Sequence, residues 1–390
     1  MRVSSLICEY NPFHNGHKYM IEKMRENGCE YIIACMSGNF TQRGDFAVFD
    51  KYSRTKTALE NGIDLVIELP VIYSCATAEK FAFGGVDILN SLGCVNEIYF
   101  GSECGNMEAL RNTADILQSS EISEKIKKYL SLGQTFAKAR ENAVADIDKI
   151  SAEILKSPNN ILGIEYIKAR NKINSPILPQ TIQRVGSEHD SLTVCENTAS
   201  ATLIRKMIYE NNQEFKKYIP SPVFSEIHDF KKLETAVLYK LRMMSLEDFK
   251  NLPDISEGLE NRLYSAVRNG TSIEQILSLA KTKRYTLARL RRILLYAFLG
   301  ITQNDCHILP QYIKILGFSQ NGKNILRTMR ETAKLPVIMR YSDVKKLSPS
   351  AQYLYALESR CDDIYALSGE NIIPCGRNLT ENTVLSVNHA

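Results

Sequence analysis

The sequence VSSLICEYNPFHNGHKYMIEKMR, residues 3–25, determines the architecture of the N-terminal part of the chain. Residues 3–8 read as a short buried strand and residues 18–25 as the opening of a helix. His14 and His17 therefore lie where a strand gives way to a helix N-terminus. Backbone N–H groups and the helix dipole favour an anion at such a place, and imidazoles can donate hydrogen bonds to oxygens that gain charge. The segment predicts a phosphate-binding site.

Short apolar runs alternate with helical stretches through the N-terminal half of the chain. Predicted strands lie at residues 3–8, 31–36, 64–68 and 97–100, and predicted helices between them include 50–61 and 77–92. This alternation predicts an α/β fold, a Rossmann-like parallel sheet with helices on both faces. Ligands of such sheets bind beyond the carboxyl ends of the strands, so we expect the loops after Cys8, Met36 and Phe100 to lie together.

Polar residues follow the second predicted strand. Residues 37–45 read SGNFTQRGD and are rich in glycine and in groups that form hydrogen bonds. They could form an ordinary flexible loop, but the sheet geometry places them beside the histidines, so we expect contact with the acceptor or the phosphates. Lys51 and Arg54 open the next helix, where a cation is poorly matched to the helix dipole. This mismatch indicates either a nearby anion or solvated surface charge.

Two asparagines precede a later helix. Residues 157–160 read SPNN, and a helix is predicted at 161–169 with proline in its first turn. Ser157 or Asn159 could cap this helix. The amides of Asn159 and Asn160 could also read a base edge or a ribose, so both are candidate nucleotide contacts.

Two further segments could bind phosphate. A fifth predicted strand at residues 177–182 ends at Arg184-Val185, where the arginine could pair with phosphate or with a carboxylate. Residues 200–205 read SATLIR and begin a helix, which Ser200 or Thr202 could cap. The N-terminus of that helix is also a candidate phosphate site.

Composition limits the class of protein. Of 390 residues, 44% are hydrophobic and 24% charged, as expected of a globular protein with two or three domains. No apolar stretch is long enough to span a bilayer, and the first apolar run is too short for a signal peptide. We therefore expect a cytoplasmic protein without a membrane partner, and no stable protein partner is evident.

The cysteines and histidines do not predict a metal site. Ten cysteines occur without a CxxC pair, which argues against zinc and against a disulfide framework, and we interpret them as reduced thiols. Cys306 and His307 are adjacent, but further ligands at a suitable spacing are missing.

The C-terminal half changes character from about residue 211, where mostly helical stretches are predicted at 230–244, 272–279 and 286–299. Basic side chains beside Tyr285 fit a surface that tracks RNA phosphates and stacks a base, although solvated basic helix faces are common. The net charge of +4 is too small to indicate nucleic acid by itself. The candidate tRNA-binding residues are Lys281, Lys283, Arg284, Arg289, Arg291 and Arg292, and a second basic cluster of Lys314, Lys323 and Arg327 could extend the surface.

Several of these segments together resemble one known family. His14 to His17 resembles the HxGH motif of the nucleotidylyltransferase superfamily, and residues 200–205 resemble its second motif, whose helix N-terminus holds the β and γ phosphates. The runs EYNPFHNGH (9–17), MSGNFTQRG (36–44) and SPNNILG (157–163), with the segment around Arg184, are similar to the bacterial tRNA(Met) cytidine acetate ligase family. The likeness covers essentially the whole chain.

The resemblance implies a nucleotidylyltransferase-like catalytic domain at residues 1–210 and a mostly helical RNA-binding region at 211–390. It implies an enzyme that uses ATP and Mg²⁺ to activate acetate as acetyl-adenylate, and then acetylates N4 of the wobble cytidine of elongator tRNA(Met). It assigns catalysis to His14 and His17. The implied ATP-binding residues are Ile7, Cys8, Glu9, Tyr10, Asn11, Pro12, Phe13, His14, Asn15, Gly16, His17, Lys18, Tyr19, Met20, Gly101, Asn159, Asn160, Arg184 and Val185.

Ser200, Thr202 and Arg205 are further candidates for phosphate binding. The implied Mg²⁺ is held mainly through the phosphates, without a dedicated set of protein ligands. Two alternatives stay open from the residues alone: a small-molecule adenylyltransferase that acts on a phosphorylated acceptor, and a nucleotide-regulated RNA-binding protein without enzymatic activity.

Overall fold

The computed structural model describes residues 1–184, 199–220 and 225–386, so the predicted nucleotide contact Val185 lies outside the described residues. In these ranges eight strands form one central sheet. The strands are β1 Val3–Cys8, β2 Tyr31–Ser37, β3 Leu65–Leu69, β4 Glu97–Ser102, β5 Leu178–Gln183, β6 Ile313–Phe318, β7 Val337–Ile338 and β8 Val384–Leu385.

The first five strands form the predicted parallel sheet. Their order is β5-β4-β1-β2-β3, and neighbouring strands are parallel. β1 pairs with β2 from Val3 opposite Tyr31 to Cys8 opposite Met36, so both strands end at the same level. The α/β prediction is confirmed. Parallel pairing brings the loops after β1, β2 and β4 to one edge of the sheet.

The helices of the N-terminal part cover both faces of this sheet. Successive residues of β2 point to opposite sides: Ile33 packs in the same core as α4, and Ile32 in the core that includes α1 and α2. The helices are α1 Asn15–Glu26, α2 Lys51–Glu60, α3 Val71–Ser74, α4 Ala78–Ser91, α5 Met107–Gln118, α6 Ser120–Ser131, α7 Phe136–Ala145, α8 Lys149–Ile154, α9 Pro158–Lys172 and α10 Ala201–Tyr209.

The C-terminal part is mostly helical, as predicted. No helix in the described ranges combines the length and the apolar character that a membrane span requires. The helices are α11 Glu234–Met243, α12 Leu246–Lys250, α13 Leu259–Asn269, α14 Ile273–Ala280, α15 Leu287–Leu299, α16 Gly322–Thr332, α17 Tyr341–Val344, α18 Pro349–Tyr365 and α19 Arg377–Thr380.

Three C-terminal strands, β6, β7 and β8, were not predicted from the sequence. β6 joins the central sheet antiparallel to β3, with Leu65 opposite Phe318, and β7 and β8 pair with β6. All six residues of β6 are buried. A fully buried strand has no polar alternation to reveal it, and its partner lies far away in the sequence. The predicted boundary at residue 210, between a catalytic domain and an RNA-binding region, stays a prediction.

A buried ion cluster of Lys51, Glu68, Lys314 and Asp362 connects the N-terminal and C-terminal parts. Lys51 Nζ lies 2.6 Å from Glu68 Oε1 and 2.5 Å from Asp362 Oδ2, and Lys314 Nζ lies 2.9 Å from Glu68 Oε2. This corrects two predictions. The anions near Lys51 are carboxylates of the chain itself, and Lys314 lies in β6 and does not extend a basic surface.

In this cluster, the two lysines affect the pKa of Glu68 more strongly than burial does. Burial alone would raise the pKa of the Glu68 carboxyl, but Lys314 and Lys51 hold that pKa at about 2. Glu358, also buried, has a pKa of about 8, because desolvation and the charge of Glu68 favour its neutral form. The second salt-bridge partner of Lys51 is Asp362 on α18, so the cluster depends on docking of that C-terminal helix.

Candidate active site

The predicted histidine motif forms the N-terminus of α1. The helix begins at Asn15, earlier than the predicted Lys18, and His14 is its N-cap. His14 Nδ1 accepts a hydrogen bond from the N–H of Gly16 at 3.1 Å, and His17 Nδ1 accepts one from the N–H of His14 at 3.2 Å. The two imidazoles therefore satisfy backbone donors at the helix start, as the side chains of a capping box do.

These hydrogen bonds determine which ring nitrogen carries the proton. Because Nδ1 of each ring is an acceptor, the neutral imidazole holds its proton on Nε2. Burial lowers the pKa of His17 well below its ordinary value, and the charges of His14 and Arg184 lower it further. His17 is therefore neutral at physiological pH, with Nε2–H as its hydrogen-bond donor.

Aromatic packing holds the two rings in place. The rings of His14 and His17 stack with their centroids 3.7 Å apart, and the ring of Tyr10 packs on His17 at 4.9 Å. Phe13 packs on Tyr10 from another side, at 4.7 Å. A Cβ atom at Gly16 would lie 2.9 Å from His14 Cε1, so a glycine is required there. The donors are oriented before any ligand binds, which favours electrostatic catalysis.

Gly101 and Arg184 lie at the same edge of the sheet as the histidines. The N–H of Arg184 donates to the carbonyl oxygen of Ser102 at 3.0 Å. A Cβ atom at Gly101 would lie 3.1 Å from Arg184 Cγ, so the arginine stem runs close over the glycine. The positive charge of Arg184 is one of the causes that lower the pKa of His17.

Glu103, directly after β4, organises the N-terminus of α9. Its Oε1 accepts from Asn159 Nδ2 at 2.6 Å, and its Oε2 accepts from the N–H of Asn160 at 2.9 Å. A carboxylate at a helix N-terminus satisfies free backbone donors and suits the helix dipole. Glu103 was not among the site residues predicted from the sequence, although its place directly after a strand of the parallel sheet was a signal for it.

The two candidate asparagines have different surroundings. Asn160 is buried, and its Oδ1 accepts from the N–H groups of Glu103 at 2.9 Å and Cys104 at 3.2 Å. Its Nδ2 donates to the carbonyl oxygen of Ile154. The Asn160 amide is therefore occupied in holding the loop after β4. Asn159 is half-buried, which makes it the better candidate for a nucleotide contact.

The segment around α10 lies beside the histidine motif. Arg205 Nη1 donates to the carbonyl oxygen of Asn11 at 2.8 Å, and its Nη2 donates to Thr202 Oγ1 at 3.2 Å. Ser200 caps α10 by accepting from the N–H of Leu203 at 3.1 Å. Arg205 thus contacts the chain just before the histidine motif, and phosphate binding by Ser200, Thr202 and Arg205 stays a prediction.

The loop after β2, residues 37–45, is packed into the protein. Glu9 Oε1 accepts from the N–H of Gln42 at 2.6 Å, and Phe40 is buried. A Cβ atom at Gly44 would lie 2.5 Å from the backbone nitrogen of Arg292, so the loop touches α15 closely. The loop therefore connects the ends of β1 and β2 to the C-terminal helices. Its contact with an acceptor stays a prediction.

Arg54 was predicted either to lie near an anion or to be a solvated surface charge, and the structure corrects both alternatives. Its guanidinium is buried and donates to the carbonyl oxygens of Glu9 at 2.6 Å, Ser37 at 3.1 Å and Phe49 at 2.9 Å, and also to that of Gly38. Arg54 thus fixes the backbone where β1 and β2 end.

The candidate tRNA-binding residues fall into two groups. Lys281, Lys283, Arg284 and Arg291 are exposed. Arg292 is only 8% exposed, and its Nη2 lies 2.9 Å from Asp254 Oδ2. This burial corrects the prediction for Arg292, whose charge is used inside the protein.

Arg289 and Tyr285 are also held by internal contacts. Arg289 donates to the carbonyl oxygen of Asp254 at 2.7 Å and to Ser256 Oγ at 2.8 Å. Tyr285 is buried and donates to the carbonyl oxygen of Glu257 at 3.0 Å, so its ring is not an open platform for a base. We retain only the exposed cations as candidates for RNA contact.

The described residues contain no group of three or more His, Cys, Asp or Glu side chains suited to hold a metal ion. This observation covers Cys306 and His307, which are neighbours in a short turn after α15.

Comparison with known proteins identifies the family. A model of the HIGH Nucleotidyl Transferase family matches residues 1–376. The tRNA(Met) cytidine acetate ligase of Thermoanaerobacter sp. (strain X514) is 42% identical over 395 residues, covering 95% of this chain and 96% of that protein. The tRNA(Met) cytidine acetate ligase of Clostridium kluyveri is 39% identical over 398 residues with the same coverage.

Solved structures agree with the sequence relatives. The crystal structure of Thermotoga maritima TmcAL in an apo form matches with a TM-score of 0.93 and 32% identity, covering 99% of this chain and 100% of that chain. A second structure, of Thermotoga maritima TmcAL bound with alpha-thio ATP, matches with a TM-score of 0.91 at the same identity and coverage. The family predicted from the motifs is confirmed. This chain belongs to the tRNA(Met) cytidine acetate ligase family of the HIGH nucleotidyl transferases.

Proposed function

We propose that the protein joins ATP and acetate to form acetyl-adenylate, and then transfers the acetyl group to N4 of the wobble cytidine of elongator tRNA(Met). The observation that carries this proposal is the pair of stacked imidazoles capping α1 at the carboxyl ends of parallel strands. The ATP analogue bound to the Thermotoga maritima relative supports ATP as the nucleotide. The tRNA(Met) ligase relatives support tRNA as the acceptor.

In the first step, an acetate oxygen attacks the α-phosphorus in line, and the bond from that phosphorus to the pyrophosphate oxygen breaks. Acetate is already ionised near neutral pH, so neither histidine has to remove a proton. His14 and His17 donate through Nε2–H to phosphate oxygens whose charge grows toward the transition state. Neutral His17 can do this because its Nδ1 is held by a backbone N–H.

Mg²⁺ fits this site only as an ion carried by the triphosphate. The described residues lack a group of three acidic, histidine or cysteine side chains that could form a protein cage for it. When bound through phosphate oxygens and water, the ion neutralises charge on the phosphates. The chain's own residues supply the remaining hydrogen bonds.

In the second step, the exocyclic amine N4 of the cytidine attacks the acetyl carbonyl carbon, and AMP leaves with the electrons of the broken C–O bond. The amine loses a proton and the product is an amide. The wobble base lies in an anticodon loop, where it can be unstacked without opening a duplex. A tRNA substrate supports a cytoplasmic location for the enzyme.

The experiment that tests this function is ATP–pyrophosphate exchange with a panel of carboxylic acids, followed by acetyl transfer. Acetate should stimulate exchange, and labelled acetyl should pass to elongator tRNA(Met) but not to initiator tRNA. Absence of acetate-dependent exchange would refute the adenylation step. Equal labelling of the two tRNAs would refute the proposed specificity.

Glu103→Ala should weaken ATP binding without disabling the chemistry. The carboxylate holds the Asn159 amide at 2.6 Å and the start of α9, and a hydrogen bond to a charged group is worth about 1.5–3 kcal/mol. We expect the KM for ATP to rise about tenfold or more, with kcat changed by less than about threefold. Exchange rates measured against ATP concentration test this. Glu108→Ala, an exposed glutamate on α5, is the control, and an unchanged KM in Glu103→Ala would contradict the assigned role.

A further inference from the structure

A groove of about 860 Å³ lies in the C-terminal part, between α13 and the segment 279–285 that precedes α15. Its volume falls within the range of small-ligand sites. Three of its lining residues are basic and none is acidic. The lining residues are Gly258, Asn261, Arg262, Ser265, Ala266, Asn269, Leu279, Thr282, Lys283, Arg284 and Tyr285.

Internal hydrogen bonds make the walls of this groove rigid. Arg262 donates to the carbonyl oxygens of Ala280 at 2.8 Å and Leu279 at 2.9 Å, which joins α13 to the end of α14. Thr282 Oγ1 accepts from the N–H groups of Arg284 at 3.1 Å and Tyr285 at 3.2 Å. The shape of the groove is therefore set before a ligand enters, which reduces the entropy cost of binding.

Two basic side chains at the rim of the groove do not pair with other described residues of the protein. Lys283 and Arg284 are exposed, and within the described ranges their side chains make no hydrogen bond or ion pair. Some exposed lysines elsewhere are paired along their helices, as Lys23 is with Glu26 and Lys138 with Glu141. Two unpaired cations without an acidic neighbour in the lining are suited to an anionic ligand.

The opposite wall offers neutral polar groups in a row. Asn261, Ser265 and Asn269 are spaced four residues apart on α13 and line the groove together. Asn261 Nδ2 donates to Glu260 Oε1 at 3.2 Å, and Asn269 Nδ2 donates to the carbonyl oxygen of Ser265 at 2.8 Å. Amide and hydroxyl groups can pair with the edge of a nucleobase, and Lys and Arg with a phosphate.

α15 connects this groove to the active-site edge. The helix begins at Leu287, just after the groove wall, and its backbone at Arg291 and Arg292 touches Gly44 in the loop after β2. At 1.5 Å per residue, the groove wall and that contact are on the order of 10 Å apart along the helix. Arg291, whose side chain is exposed, lies at that contact.

We propose that this groove binds one unpaired nucleotide of the tRNA close to the target cytidine, with a phosphate on Lys283 and Arg284 and the base against the α13 wall. The proposal rests on the proposed function, because it needs an RNA substrate. Single-stranded RNA loops are recognised in this way, through phosphates and splayed bases. The site adds recognition of the RNA to the adenylation site, and it does not touch ATP.

Two variants test the two halves of this site. Lys283→Glu/Arg284→Glu reverses the charge at the phosphate position, and Ser265→Phe fills the base position without a change of charge. We expect the charge reversal to raise the KM for tRNA at least about tenfold and to reduce the slope of log affinity against log salt by about two. Ser265→Phe should raise the same KM and leave the salt slope unchanged.

The control variant is Lys231→Glu/Lys232→Glu, which makes the same charge change at two exposed lysines away from the groove. Acetate-dependent exchange without tRNA reports on fold and adenylation, so its absence in the wild-type protein would sink the proposed function itself. If the wild type transfers acetyl and the groove variants match the control variant, the groove proposal is overturned. The proposal is also overturned if the charge reversal raises the KM for tRNA and Ser265→Phe does not. A surface that binds only RNA phosphates, without a pocket for a base, would give that result.

Discussion

His14→Asn will lower acetate-dependent ATP–pyrophosphate exchange by about two to three orders of magnitude, the usual cost of losing one donor to a developing oxyanion. Asparagine is a favoured N-cap, and its Oδ1 lies where His14 Nδ1 accepts from the N–H of Gly16 at 3.1 Å. The variant therefore keeps the start of α1 and loses the Nε2–H donor together with the ring that stacks on His17 at 3.7 Å. Exchange rates at saturating ATP and acetate measure the loss.

His14→Gln is the matched variant, because the Nε2 of glutamine reaches toward the position of the imidazole Nε2. It loses the cap and keeps a donor, so we expect it to retain clearly more exchange activity than His14→Asn. Its stability should fall by about 1 kcal/mol through loss of the cap, measured by urea unfolding. If His14→Asn retained more exchange activity than His14→Gln, the His14 imidazole would act by capping α1 and not by donating a hydrogen bond from Nε2.

Lys51→Met should lower the free energy of unfolding by about 3–5 kcal/mol, the cost of breaking a buried ion pair from one side. Lys51 is fully buried, and its Nζ lies 2.6 Å from Glu68 and 2.5 Å from Asp362. After the substitution Glu68 still has Lys314 as a partner at 2.9 Å. Asp362 loses its salt-bridge partner and keeps the hydrogen bond from Asn39 Nδ2 at 2.9 Å, so most of the uncompensated charge is there. Equilibrium unfolding in urea measures the change.

Lys23→Met is the control, since Lys23 pairs with Glu26 at an exposed helix surface, where water screens the pair, and its loss should leave the free energy of unfolding nearly unchanged. The double variant Lys51→Met/Asp362→Asn should recover part of the loss, because it removes the unpaired carboxylate. A loss below about 1 kcal/mol in Lys51→Met would mean that the cluster does not hold the two parts of the chain together.

Features that depend on near neighbours in the chain could be predicted from the sequence. The five parallel strands follow from apolar runs and their spacing, and the positions of their ends place the histidine motif at the carboxyl edge. The helix that starts at the motif was also predicted, but its first residue was not. The ring nitrogens of His14 and His17 complete the cap, and propensity alone does not anticipate imidazoles in that role.

Features that depend on distant partners required the tertiary structure. From the sequence, Lys51 and Arg54 were expected to lie near an anion or to be solvated surface charges. In the folded protein, carboxylates surround Lys51 and backbone carbonyl oxygens surround Arg54. The same holds for Arg292, which pairs with Asp254, and for Asn160, whose amide is used by the loop after β4.

The sequence by itself determined the α/β sheet, the place of the histidine motif and the family resemblance, because periodicity and capping act over a few residues. The tertiary structure decided which charges are buried, that β6 joins the sheet, that Asn159 is the more accessible of the two asparagines, and that Glu103 orients it. The physical reason is that the cost of burying a charged or polar group depends on partners brought together only by folding.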